Sequence, residues 1–126
     1  MKSLSGKLGV VLFIIGLAIF GDIEVWGADW EEFAETTTGI FYYDVESVTS
    51  PSKGFYRVWI HNTTKHESSL IEIDCKEKNY RVLDVIEYDE TNRFKVKARY
   101  DYYDNTRWLV ISQGTVPEPL HSILCP

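Results

Sequence analysis

Residues 93–104, RFKVKARYDYYD, alternate in character with a period of two. Phe94, Val96, Ala98, Tyr100 and Tyr102 fall on one parity, and Arg93, Lys95, Lys97 and Arg99 on the other. A helix would scatter these side chains around its circumference, whereas a strand sorts them onto one covered and one wet face. The chain is thereby committed to a sheet, and the rest of the sequence supplies the neighbours. Residues 79–89 (NYRVLDVIEYD) pair with this stretch as a hairpin, because the intervening Glu90, Thr91 and Asn92 are short, polar and turn-forming.

Further strands follow from aromatic and β-branched enrichment. Residues 29–39 read as an edge strand or irregular lead-in carrying Trp30 and Phe33; 40–48 (IFYYDVESV) form a strand ended by the SPSKG cluster at 50–54. Residues 55–62 (FYRVWIHN) are apolar at both parities, which implies cover on both faces. In SLIEIDC, residues 69–75, Ile71, Ile73 and Cys75 share one parity and point to the core, while Glu72 and Asp74 share the other. Residues 108–111 make a short closing strand. The tail at 115–125 predicts a helix, with Thr115 and Glu118 at capping-box spacing, Pro117 tolerated in the first turn, and Leu120, Ile123 and Leu124 as the sheet-facing stripe. There is no internal repeat and no linker long enough to separate two domains. The expected fold is α+β, mostly β: one antiparallel sheet of about six strands with a C-terminal helix packed on it.

The N-terminus has a different grammar. Lys2 and Lys7 precede an apolar run, LGVVLFIIGLAIF, of 13 residues, followed by small residues at Gly27 and Ala28. This is the tripartite pattern of a secretory signal, and the run is shorter than the roughly 20 residues of a membrane-crossing helix. Cleavage after Gly27 is preferred to cleavage after Ala28, which would place bulky Trp26 at a peptidase-facing position. The expected organisation is a signal peptide over 1–27 and a domain over 28–126, with no stable membrane span once the signal is removed. Asp22 and Glu24 make the region before the cleavage point unusually acidic, which keeps an uncleaved anchor as the alternative. Removal takes two lysines and two acids, so the net charge stays at −6. An acidic chain of this kind argues against nucleic acid, whose phosphates require a basic partner. Export would carry Cys75 and Cys125 to an oxidising compartment, where two thiols allow one internal pairing across 50 residues.

With the elements in place, the chain resembles the surface-adhesin protein E family of small exported bacterial proteins. The features that carry the resemblance run through the domain in order: Trp30; Tyr42, Tyr43 and Asp44 followed by Ser47; Trp59 in a central strand; Asp74 and Cys75 at a strand end; Trp108 in WLVI; and the closing T-x-x-E-x-L…C. Gln113, Gly114 and Thr115 stand where Pro-Gly-Ser is expected, a departure that affects helix entry. The resemblance implies a secreted, periplasmic or surface β-sheet domain with a C-terminal helix and a Cys75–Cys125 bridge. It also implies an adhesin-like role: the best-known member binds host matrix proteins and haem and can dimerise.

The residues themselves offer several candidate sites. Lys95, Lys97 and Arg99 form a cationic row, spaced about 7 Å apart along a strand, that could hold a sulfated glycan or lipid phosphate. Pairing with Glu72, Asp74, Glu87 or Asp89 on neighbouring strands is the plainer role. Of the eight tyrosines, Tyr43 and Tyr103 are the candidates for a solvent-facing recognition surface, while half-burial in strands is the plainer role for tyrosine. His61, His66 and His121 could ligate a metal or haem iron, but their spacing fits no metal signature and no cofactor is expected. No nucleophile elbow, metal-ligand helix or phosphate loop is present, and paired thiols leave no cysteine nucleophile, so a non-enzymatic binding module is expected. The Asn62-Thr63-Thr64 acceptor pattern would go unused in a bacterium. The partner implied is a protein or matrix component; the alternatives are an accessory subunit of an envelope complex or a small-ligand carrier for haem.

Overall fold

A computed structural model describes residues 29–92 and 95–126. The expected signal peptide and its cleavage point lie outside the described residues, as do Arg93 and Phe94. The strands are β1 (Trp30–Thr36), β2 (Gly39–Asp44), β3 (Thr49–Ser52), β4 (Phe55–Asn62), β5 (Glu67–Asp74), β6 (Asn79–Tyr88), β7 (Val96–Asp101) and β8 (Leu109–Val110), followed by one helix, α1 (Pro117–Leu124). The main sheet runs β1-β2-β4-β5-β6-β7, antiparallel throughout, with β3 added beside β4 and β8 beside β6. The six expected strands are therefore present, with short β3 inside the SPSKG region that reads from sequence as a terminator.

The core lies between α1 and one sheet face. Val58 of β4 stands opposite Ile71 of β5, and Tyr56 opposite Ile73. Val58, Ile71, Ile73, Ile111, Leu120 and Tyr43 form one buried cluster, to which Ile60, Tyr80, Val82 and Leu124 add from the margin. Leu120 is the helix's contribution and is fully buried, whereas Ile123, expected in the same stripe, is half exposed. The helix has only eight residues and rests on the sheet through the narrow ridge of Leu120 and Leu124, so Ile123 beside that ridge faces solvent.

The helix start also differs from expectation. Val116 already has helical dihedrals and no side chain caps the first turn. Instead the N–H of Gly114 donates to Glu118 Oε1 at 2.9 Å and the Thr115 hydroxyl donates to Ser112 O at 2.6 Å. The left-handed Gly114, φ 82°, turns the chain too sharply for a Thr115 cap, a conformation glycine adopts freely. At the other end Cys125 bonds to Cys75, with Cα atoms 5.6 Å apart, and His121 Nε2 lies 3.2 Å from Cys75 O. The helix is thus held at the close of β5 by a covalent and a polar contact.

In β7 the sequence pattern misleads. Its exposure runs high on both parities: Val96, Tyr100 and Tyr102, expected inside, are exposed. The reason is position: β7 is an edge strand and α1 does not reach it, so among the described residues no element covers the face that the alternation marks as apolar.

Two outcomes follow. Reducing the bridge releases a 50-residue loop, and urea denaturation with and without reductant should register a loss of about 4 kcal/mol by chain-entropy arithmetic. Burial, followed by the charges of Glu31 and Asp29, raises the Tyr43 hydroxyl above its ordinary value. The unfolded chain therefore loses this proton first as pH rises, so the tyrosine's contribution is intact below about pH 10 and declines above it. Phenolate absorbance should report Tyr43 ionising above the ordinary tyrosine range.

Candidate functional site

The face away from α1 carries the unusual chemistry. In β4, Arg57, Trp59 and His61 point to it; in β5, Ser68, Leu70 and Glu72 do, as the cross-strand pairs Arg57–Glu72, Trp59–Leu70 and His61–Ser68 require. In β6 the strict alternation breaks. Glu72 stands opposite Arg81 and Leu70 opposite Asp84, with a register shift between Leu70 and Ile71 that leaves one residue of β6 extra. The bulge switches parity, so Arg81 and Asp84 reach the same face although an unbroken strand would send them to opposite ones. β7 then sets Arg99 opposite Ile86.

Arg57, Glu72 and Arg81 form a row across three strands. Glu72 is buried and its Oε1 takes Arg81 Nε at 2.8 Å and Nη2 at 2.7 Å, while Arg57 Nε stands 3.6 Å from Oε2. A Trp108 ring roofs this row, 4.5 Å from the Arg81 guanidinium carbon and 6.0 Å from the Phe55 ring. A guanidinium stacked on indole keeps its charge and its in-plane donors while shedding water from one side. The second pair is Asp84, also buried, gripped in a fork by Arg99 through Nε at 3.2 Å and Nη2 at 2.6 Å. Hydrogen bonding to Asp84, then that carboxylate's charge, raises the Arg99 pKa further above its already basic value.

Further along this face, His61 Nδ1 and Ser68 Oγ are 2.8 Å apart, and the imidazole packs between the Trp30 and Tyr88 rings at 5.8 and 6.3 Å. Burial raises the Tyr88 hydroxyl pKa, partly offset by its hydrogen bond to Ser68. Ser68 is buried and so offers no accessible nucleophile beside the histidine.

The residues singled out from sequence land as follows. Tyr43 is in the core rather than on a recognition surface, because β2 turns its odd positions toward α1 and Phe33 packs edge-on against it at 6.0 Å. Tyr103 is exposed, near the Tyr100–Tyr102 stack at 6.4 Å. Lys95, Lys97 and Arg99 do not form an unbroken row: Glu87 pairs with Ala98 and Tyr88 with Val96, which makes Lys97 an extra residue in a bulge. Arg99 turns to Asp84, not to Glu72, Asp74, Glu87 or Asp89; hydrogen bonds from Thr91 chiefly lower the Asp89 carboxyl, and the charge of Lys95 adds a smaller part. His66 sits in the β4–β5 turn with a left-handed φ of 52°, remote from His121 on the helix. Among the described residues no group of three His, Cys, Asp or Glu side chains could hold a metal ion. Cys75 and Cys125 are joined.

Sequence reasoning passed over Arg57, Arg81 and Trp108 as a unit. The signal was present in part, since Arg57 and Glu72 carry opposite charges on neighbouring strands, but register and the position of Trp108 depend on the assembled sheet. An apolar cleft of about 150 Å³ also lies on the opposite face, between Phe33, Ile60, Val82, Val116 and Pro117, with Ser69 in its lining. Replacing Glu72 with Gln leaves two guanidiniums over a neutral amide. With both arginines partly solvated, urea denaturation should show a loss of about 2–3 kcal/mol, below the full cost of orphaning a buried charge.

No helix among the described residues is long and apolar enough to cross a membrane. Comparison with curated proteins and with solved structures returns no match. The family model described as Surface-adhesin protein E matches residues 30–126, which takes in every strand and the helix. The arginine and tryptophan face, the disulfide-pinned helix and the match over the whole domain lead to one assignment: this chain belongs to the surface-adhesin protein E family.

Proposed function

We propose that the protein is an exported, non-enzymatic adhesin-like module that engages a host protein or matrix component through the sheet face not covered by α1. Family membership supports the adhesin-like role and the exported or surface location. The observation that carries the choice of face is its composition. It displays arginine and tryptophan, residue types that dominate binding energy at protein interfaces, held in place by buried carboxylates and ring stacking. Side chains fixed before contact lose less entropy on binding than mobile ones. Around the β7 edge this surface continues into exposed Tyr100, Tyr102 and Tyr103, which present area at low entropic cost.

The reading is tested by retention of the purified native protein on an immobilised basement-membrane extract, followed by hydroxyl-radical footprinting of the bound state. Protection of Trp59 and Tyr103 with Ile123 still labelled is the expected outcome. Absence of retention, or protection confined to Ile123, overturns it.

A further inference from the structure

The exposed and the buried members of the ion pairs on the outer face carry opposite charges. Glu72 and Asp84 have side chains 5% and 4% exposed, whereas the side chains of Arg57, Arg81 and Arg99 as a whole are 33%, 28% and 62% exposed. The carboxylates neutralise the arginines from beneath, and solvent meets the cations. Register sets Asp74 and Asp101 on the same face, so the three arginines are locally presented cations within a mixed-charge surface on a chain of net charge −6.

The donors are also unevenly used. Arg81 and Arg99 each commit Nε and Nη2 to a carboxylate, which fixes the plane of the guanidinium and leaves Nη1 for another acceptor. Arg57 donates no hydrogen bond among the described residues: its Nε is buried at ion-pair range from Glu72, and its two terminal nitrogens have no protein acceptor. Arg57 and Arg81 lie on strands two apart in the sheet, about 10 Å between backbones. Trp59 stands in the next row along the strands, opposite Leu70, which is itself opposite Asp84, and Trp108 stacks on Arg81, so each row of charge has an aromatic side chain beside it.

We propose that this face binds a sulfated polysaccharide, with Arg57, Arg81 and Arg99 receiving its sulfate and carboxylate groups and Trp59 and Trp108 contacting the sugar rings. The proposal rests on the outer face being the recognition surface, and narrows the ligand to one class. Planar guanidinium forks match oxyanions in two-bond geometry, and their charge complements a polyanion. Interleaved indoles favour a polymer of rings with apolar faces over an acidic peptide, whose carboxylates hang on flexible stems. Arg57 is the receptor with most free donors, and Glu72 retains Arg81 when Arg57 is lost.

The test is titration of the native protein with a heparin-derived hexasaccharide, followed by calorimetry and by NMR of the tryptophan indole and arginine Nε resonances. Saturable binding that weakens as salt rises, with shifts at Trp59, Trp108 and Arg57, is expected. Arg57→Gln should weaken binding about tenfold with an unchanged thermal midpoint, Arg57→Lys should recover only part of it, and Lys95→Gln should leave it unchanged. The wild-type shift map reads the site even if a variant proves unstable. No binding at millimolar hexasaccharide, equal affinity for Arg57→Gln, equal binding of the desulfated sugar, or a preference for poly-glutamate overturns the proposal. If the hexasaccharide fails while footprinting on the matrix extract still protects the outer face, only the ligand class falls; if that protection is absent, the choice of face falls with it.

Discussion

One sheet has two faces, and among the described residues a single eight-residue helix is available to cover them. The first face is closed by burial of hydrocarbon, with Leu120 set among Val58, Ile71 and Ile73. The second must be closed by side chains of the sheet itself. Glu72 meets that requirement: drawn between Arg57 and Arg81, it lets the long arginine stems lie over the strands while their charged ends reach water. Trp108 completes the cover from the segment before β8. The same arrangement that covers β5 therefore sets arginine and tryptophan side chains on the outer surface.

β5 is the hinge of this scheme because it serves both faces at once. Ile71 and Ile73 enter the core and Glu72 between them enters the ion row, so neighbouring residues of one strand tie the hydrophobic and electrostatic halves together. Its end carries Cys75, which anchors the helix. Register errors in this strand would reverse both sets, exposing isoleucine and burying an unpaired carboxylate.

The edges behave differently from the faces. β1 and β7 each contain a register shift, β1 between Glu32 and Ala34 and β7 at Lys97, and each carries exposed charge. Bulges and charged side chains on edge strands discourage pairing with other chains. Away from these protected edges lie the broad outer face and the exposed tyrosines near β7.

Much of the architecture was legible from local chemistry. The span of β4 at 55–62, the β6–β7 pairing, the inward parity of Ile71 and Ile73 and the terminal helix all follow from side-chain periodicity and turn chemistry, which act over a few residues. Two thiols in an exported chain, with the family resemblance, pointed to the bridge that joins Cys75 and Cys125. What a residue meets across the sheet was decided only in three dimensions. By sequence parity Asp84 belongs with Val82 in the core; the one-residue bulge of β6 carries it to the other face and to Arg99. Tyr43 reads as well on a surface as in a core until β2 is placed beside β4, and the apolar parity of β7 marks a covered face that a short helix never reaches. Periodicity specifies which side chains share a face, but cover, register shifts and charge partners come from residues distant in the chain, so only the folded sheet determines them.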